Sequence, residues 1–365
     1  PPPYTTLDTS PITRERPFLT INEEGEYSVF VPDVQFDSAG TSWVDGQTPG
    51  VSIPIGQFFI ARPEDSAQQI NSQLARGRHL ILTPGIYQLD RAIDVKRPDT
   101  VVLGLGYATL VPQNGNAALT VANVKGVKLA GLMIDAGPLN SPVLLQVGKG
   151  NATNGNGPAN NNWSDPADPT LLADVFFRIG GATPGKATNA LVVNSDNVIL
   201  DHIWSWRADH GNGVGWDQNT ADTGLIVNGD NVTAYGLFVE HYQKTETIWN
   251  GENGRTIMFQ NEMPYDPPSQ EAWQQDDGTN GYPAYKVGDS VETHEAWGLG
   301  SYSYFNVGPD IHAERAFEVP VTPGVQMYSI LTVFLNGNGG IDHVVNDTGA
   351  AVNAGNQVTN IVSYP

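Results

Sequence analysis

Two segments of this chain are copies of one another at a fixed shift. Residues 190–206 read ALVVNSDNVILDHIWSW, and residues 224–240 read GLIVNGDNVTAYGLFVE. The frame L-x-V-N-x-D-N-V thus recurs after 34 residues. An earlier copy, LTVANVKGVKLAGLMID (119–135), keeps the pattern L-x-V…V-x-L/A-x-x-L, and a looser one, TIWNGENGRTIMFQNE (247–262), follows the second by about 23 residues. Repetition at such a period marks a stack of small units, none of which buries its apolar face alone. Runs of three to five apolar residues alternate with Asn/Gly/Asp turns, and no stretch after residue 76 carries a 3.6-residue period.

Short strands, a repeat of about 22 residues and Asn at matching turn positions point to an all-β chain wound as a single-stranded right-handed parallel β-helix. Each coil supplies three short strands, and coils stack about 4.8 Å apart. Asn194 and Asn228 then form a turn ladder, each amide bonding its neighbour. A β-sandwich or propeller would need hairpin turns and strict alternation, which are scarce here. Ser66 through Arg76 reads as one amphipathic helix with Ile70 and Leu74 inward, a cap over the open end of the solenoid. Residues 1–60 are Pro/Gly-rich, with one hairpin in PFLTINEEGEYSVFVP, and read as a linker or packing arm. Residues 61–365 are the β-helix, with a long loop at 148–170 (GKGNATNGNGPANNNWSDPADPT).

Charge and composition narrow the partners. The 18 Lys+Arg against 39 Asp+Glu give a net charge of −21, a field that repels nucleic acid and anionic membranes and suits a neutral ligand. With no Cys, disulfides, thiolate zinc sites and a cysteine nucleophile are excluded. No run reaches transmembrane length. The chain begins PPPYTT, with neither an initiator Met nor a signal peptide, and reads as a processed or excised piece. The acidic balance, low Lys and absent Cys favour a secreted, extracellular protein. In a eukaryotic setting Asn151, Asn162, Asn231 and Asn346 would be glycosylation sequons.

The stretch from the capping helix through LTPGIYQLDRAIDV…TVVLGLG is similar to the entry of pectate-lyase-like β-helix proteins. From about residue 60 to 365 the chain resembles secreted actinobacterial and fungal proteins labelled "coagulation factor 5/8 type domain" or "adenylyl cyclase", labels that nothing in these residues supports. By analogy the resemblance extends to the glycoside hydrolases of family 55, the β-1,3-glucanases. That family carries two β-helix modules, so the resemblance implies an N-terminal module in the same precursor. No family catalytic motif matches residue by residue, so the resemblance implies an activity only by analogy.

The chemistry is concentrated between residues 202 and 297, which hold His202, His210, His241 and His294, six of the eight Trp, and a set of carboxylates. On a β-helix one strand face of successive coils forms a continuous wall. Aligning VILDHIWSW with VTAYGLFVE puts Trp206 opposite Glu240, with Glu262 on the next coil within one residue and Asp135 on an earlier one. Glycosidases need two carboxyls flanking the scissile bond, one protonated and one ionised. Asp209, Glu240, Glu262 and Glu295 are the catalytic candidates. Adjacent coils give the retaining spacing of about 5 Å and two coils give about 10 Å, nearer the inverting one. The family 55 resemblance implies inversion and so favours Asp209 with Glu262.

His210, Trp216, His241, Lys244, Trp249, Tyr265, Asp266, His294 and Trp297 are the candidates for substrate contact, with Trp216, Trp249 and Trp297 as platforms for sugar faces. Within FVEHYQK, alternation sends Glu240, Tyr242 and Lys244 to one face unless a bulge intervenes. In WSWRADHGNGVGW, alternation packs at least one tryptophan inward, and the glycine loop accounts for the 34-residue spacing. Each of these residues also has a structural reading, as a turn cap, an ion pair or core packing; for the cluster as a whole the functional reading is favoured.

No HExxH, GxSxG, GxGxxG or complete EF-hand loop occurs, so no cofactor or metal is expected, with DQNTADTG as the one stretch suggesting calcium. The reading is an extracellular hydrolase of a neutral polysaccharide, best β-1,3-glucan. The alternatives are a polysaccharide lyase, for which Arg207, Lys244 and Lys286 could neutralise a uronate, and a non-catalytic carbohydrate-binding or envelope β-helix.

Overall fold

The computed structural model describes residues 6–41, 43, 46, 48–149 and 164–365; Asn151, Asn162 and most of the loop at 148–170 fall outside them. Two sheets run along the molecule, one of twelve strands and one of nine, parallel throughout except for the edge strand Val358–Tyr364, which pairs antiparallel, and successive coils add one strand to each in turn. This is the stacked architecture that the repeat requires. The longest strands of the larger sheet include β1 (Lys128–Asp135), β2 (Thr170–Ile179), β3 (Val198–Arg207), β4 (Thr233–Glu240), β5 (Gly254–Glu262), β6 (His294–Phe305) and β7 (Val325–Gly337).

These strands are longer than the sequence suggests because each turns a corner without leaving the ladder. At the corner of each strand one residue has positive φ, and the register stacks those residues: Gly131, Asp174, His202, Gly236, Met258, Gly298 and Ser329. Four of the seven are not glycine and each costs about 1–2 kcal/mol. They persist because parallel pairing on both sides fixes the bend. The corner divides each long strand in two, and the smaller sheet supplies the third strand of each coil.

Inside, apolar residues stack in rows along the axis. Leu132, Val175, Ile203, Leu237, Phe259, Leu299 and Ile330 form one such row, each buried. The helix α1 (Ala67–Ala75) closes one end, N-capped by a Ser66–Gln69 capping box, with Ala67, Ile70 and Leu74 buried. Strands Phe18–Ile21 and Tyr27–Pro32 form the expected antiparallel hairpin. With Phe58 it packs Val29 and Val31 onto the outer face of the larger sheet, against Leu103, Leu171 and Ile199.

The turn ladder is present and longer than expected. The Asn228 amide donates to Asn194 Oδ1 and the Asn250 amide to Asn228 Oδ1, both at 2.8 Å. Asn228→Ala removes both bonds at an exposed turn and is expected to lower stability by about 1 kcal/mol, read as a lower urea midpoint at unchanged slope.

Candidate active site

Towards the end of each of these strands, one outward residue joins a row that runs along the solenoid axis. The register places Asp135, Arg178, Trp206, Glu240, Glu262 and Tyr302 side by side on successive coils. Glu240 and Glu262 are direct partners, so the one-residue slip allowed from sequence does not occur. Asp135 is locked in a bidentate pair with Arg178, at 2.7 and 2.8 Å, which leaves Glu240 and Glu262 as the two carboxyls of the row.

Both tryptophans of the WSW segment face outward; it is Ser205 between them that points into the core, 2.6 Å from the Tyr242 hydroxyl. The expectation that one Trp packs inward fails on parity. Ser205 shares the inward register of Val239, and Trp206 that of Glu240. The two indoles stack at 5.2 Å and 17° and present their N–H groups to carboxylates. Trp204 Nε1 donates to Glu240 at 2.9 Å and Trp206 Nε1 to Asp209 at 3.2 Å. His210 Nδ1 lies 3.0 Å from the same Asp209 oxygen.

His241 follows Glu240 in a left-handed conformation, φ 67°, and this breaks the alternation expected for FVEHYQK. Tyr242 turns inward and is fully buried, while Lys244 lies in the open, 2.9 Å from Asp222. The His241 ring is buried against Tyr265, centroids 4.4 Å apart, with Nε2 3.3 Å from Glu262 Oε2. The Tyr265 hydroxyl donates to the same oxygen. Behind them Arg207, fully buried, grips Asp266 through both nitrogens at 2.8 and 2.9 Å and donates to the carbonyls of Asn219, His241 and Gly215. One guanidinium thereby ties together the loops that carry Asp209, His241 and Tyr265.

The two glutamates are pushed apart in proton affinity. Burial lifts the Glu240 carboxyl, and the nearby Glu262 and Asp209 charges add to that against the pull of the Trp204 N–H. The hydrogen bond from His241 lowers Glu262, helped by Tyr265. One carboxyl that keeps its proton beside one that loses it is the condition for paired acid–base work.

The other expected residues are placed elsewhere. Glu295 pairs with Arg255 at 3.6 Å, seven residues before Tyr302 on β6 and across the corner, about 20 Å along the strand from the row. Trp249 and His294 are core: both are buried, with His294 bonded to the Tyr285 hydroxyl at 2.7 Å and pushed down to about 3 by burial. Neither can present a face to a sugar. Trp297 stacks on Tyr328 at 5.3 Å on the far side of the corner. Trp216 packs against the core with the Arg207 guanidinium over its ring. Asp266 is occupied by Arg207. Nearness in sequence put these residues on neighbouring coils, but position along the strand decides the side, and they differ in that.

Asn346 uses its amide to donate to the Val319 carbonyl and the Tyr364 hydroxyl, whereas Asn231 is exposed. Within DQNTADTG, Asn219 is buried and bonded to backbone carbonyls, and Asp222 is paired with Lys244. Among the described residues no three His, Asp or Glu side chains are placed to hold a metal ion.

Glu246 is fully buried, with the Asn261 side chain and the Tyr242 backbone near its carboxyl but neither in good hydrogen-bond geometry. Burial drives its pKa well above the usual value of 4.5. The folded chain therefore keeps this proton while the unfolded chain releases it, and stability contributed below pH 4.5 is lost as pH rises towards the folded value. Glu246→Gln is expected to change little at pH 4 and to stabilise increasingly from pH 5 to 8, read as the difference in urea midpoints across that range.

Residues 58–262 match the model of the LAM55 pectate lyase-like domain. An exo-beta-1,3-glucanase of Streptomyces sp. (strain SirexAA-E / ActE) is 51% identical over the whole chain, which spans 58% of that protein's length. The solved structure of sacteLam55A from Streptomyces sp. SirexAA-E superposes with a TM-score of 0.94 at 51% identity, over all of this chain and 64% of that one. A variant of sacteLam55A in complex with glucose also matches at 0.94, with 50% identity. These matches carry nothing of a coagulation-factor or cyclase label. The chain belongs to the LAM55 pectate lyase-like family.

Proposed function

Proceeding from that membership, we propose that this chain carries the hydrolytic site of a β-1,3-glucanase. The observation that carries the reading is the Glu240–Glu262 pair, which replaces the Asp209–Glu262 pair favoured by the family 55 resemblance because Glu240 is the direct register partner of Glu262. Two carboxyls, direct register partners on adjacent coils, are held at opposite protonation tendencies beside a stacked pair of indoles. The indole N–H groups orient the carboxylates, and the ring surfaces offer apolar contact to a sugar face. The Asp209 charge acts on both glutamates. The similarity to an exo-beta-1,3-glucanase and to a glucose complex supports a glucan as the substrate. The net charge of −21 favours a neutral chain over a uronate polymer. Because the relatives are longer, the working enzyme in this reading includes a further module of the same precursor. We place it outside the cell, acting without a cofactor.

Incubation with a panel of polysaccharides tests the reading. Hydrolysis releases reducing ends from β-1,3-glucan without absorbance near 235 nm. Absorbance rising together with reducing ends would mean a lyase. Retained binding without any product would mean a non-catalytic module.

A further inference from the structure

His241 is engaged on both ring nitrogens, and the two partners differ in kind. Nδ1 lies 3.2 Å from the backbone carbonyl of Arg207. A carbonyl oxygen only accepts, so this nitrogen carries a hydrogen. In the neutral ring Nε2 is then the bare nitrogen, and it faces Glu262 Oε2 at 3.3 Å. Two acceptors cannot bond without a proton between them. The contact therefore requires one proton, held either as imidazolium against carboxylate or as carboxylic acid against imidazole.

We propose that His241 is a positioning residue that sets the charge of Glu262, the two binding one proton as a unit. This rests on the hydrolase reading for its purpose, but the shared proton itself follows from the geometry alone. The groups facing the ring favour that proton. Asp209 lies 3.8 Å from Nδ1, and Glu240 precedes His241 in the chain and interacts with its charge. Tyr265 covers the ring and donates to Glu262, and Arg207, whose charge Asp266 balances, donates to the His241 carbonyl. Asp209 sets a carboxylate beside Nδ1, on the side of the ring away from Glu262. A proton kept on Nε2 leaves Glu262 the ionised member of the row, beside Glu240, whose burial favours the protonated form.

Ring nitrogen-15 NMR of the whole chain tests this without relying on activity. The neutral His241 ring should show Nδ1 protonated and Nε2 bare. In Glu262→Gln the Nε2 resonance should move, because the carboxylate facing it at 3.3 Å is lost. A neutral ring protonated on Nε2, or an Nε2 resonance unmoved in Glu262→Gln, overturns the proposal. Kinetics supply the second arm. His241→Asn keeps a donor towards Glu262 but cannot hold the proton. It should lower kcat at least tenfold, with KM changed much less, and move the limb of the pH–rate profile that follows Glu262 to higher pH. An unchanged profile with an equal fall in every parameter would show a merely structural role. A wild-type chain inactive on β-1,3-glucan would count against the hydrolase reading, while the NMR result would stand by itself.

Discussion

A Glu262→Gln variant is expected to release sugar from β-1,3-glucan about 10²- to 10⁴-fold more slowly than the wild-type chain, the usual loss when one partner of an acid–base pair is removed. The substitution keeps volume and leaves an oxygen for the Tyr265 hydroxyl, so circular dichroism and the unfolding midpoint should barely move. What it removes is charge. Glu262 is held below the usual carboxylate range chiefly by His241, and a neutral amide there can neither ionise nor share a proton. Most of the loss should fall in kcat, because the interaction matters to the reacting atoms rather than to the resting sugar. Glu240→Gln should cost a loss of similar order. An equivalent substitution at Glu295, across the corner and paired with Arg255, should leave turnover within about twofold of wild type.

The second large effect is structural. Asp266→Asn leaves the fully buried Arg207 guanidinium without its counter-charge. Orphaning one member of a buried pair costs about 3–5 kcal/mol. The lower end applies, since the amide oxygen still accepts one N–H. For a chain of 365 residues a loss of about 3 kcal/mol lowers Tm by about 4 °C. The same guanidinium holds the carbonyls of His241, Asn219 and Gly215, so turnover should fall together with Tm, unlike in the Asn228→Ala ladder variant. Differential scanning calorimetry and initial rates on one preparation separate the two.

Much of this was legible in the sequence. The frame L-x-V-N-x-D-N-V fixes the register of two coils, which puts Trp206 beside Glu240 and Asn194 beside Asn228, and the looser third copy brings Glu262 to within one residue of the same row. The parity of the same alignment also turns Trp204 and Trp206 outward with Glu240, a signal present in the letters but overridden by the habit of burying tryptophan. What the letters did not carry was backbone hand. His241 at φ 67° reverses the alternation after Glu240, sending Tyr242 inward and aiming the imidazole at Glu262. Met258 and Ser329 occupy the left-handed corner with no glycine to announce it. Trp249 and His294 looked like site residues because they are neighbours in sequence of residues that are. Their places on the inner face follow only once the coils are counted strand by strand.

The most direct test is a structure of the Glu262→Gln chain with a β-1,3-linked gluco-oligosaccharide. The account requires the scissile glycosidic bond to lie between Glu240 and residue 262, with a sugar ring against Trp204 or Trp206. An oligosaccharide seated instead across the corner, on Trp297 and Tyr328, with the Glu240–Glu262 row empty, would contradict it.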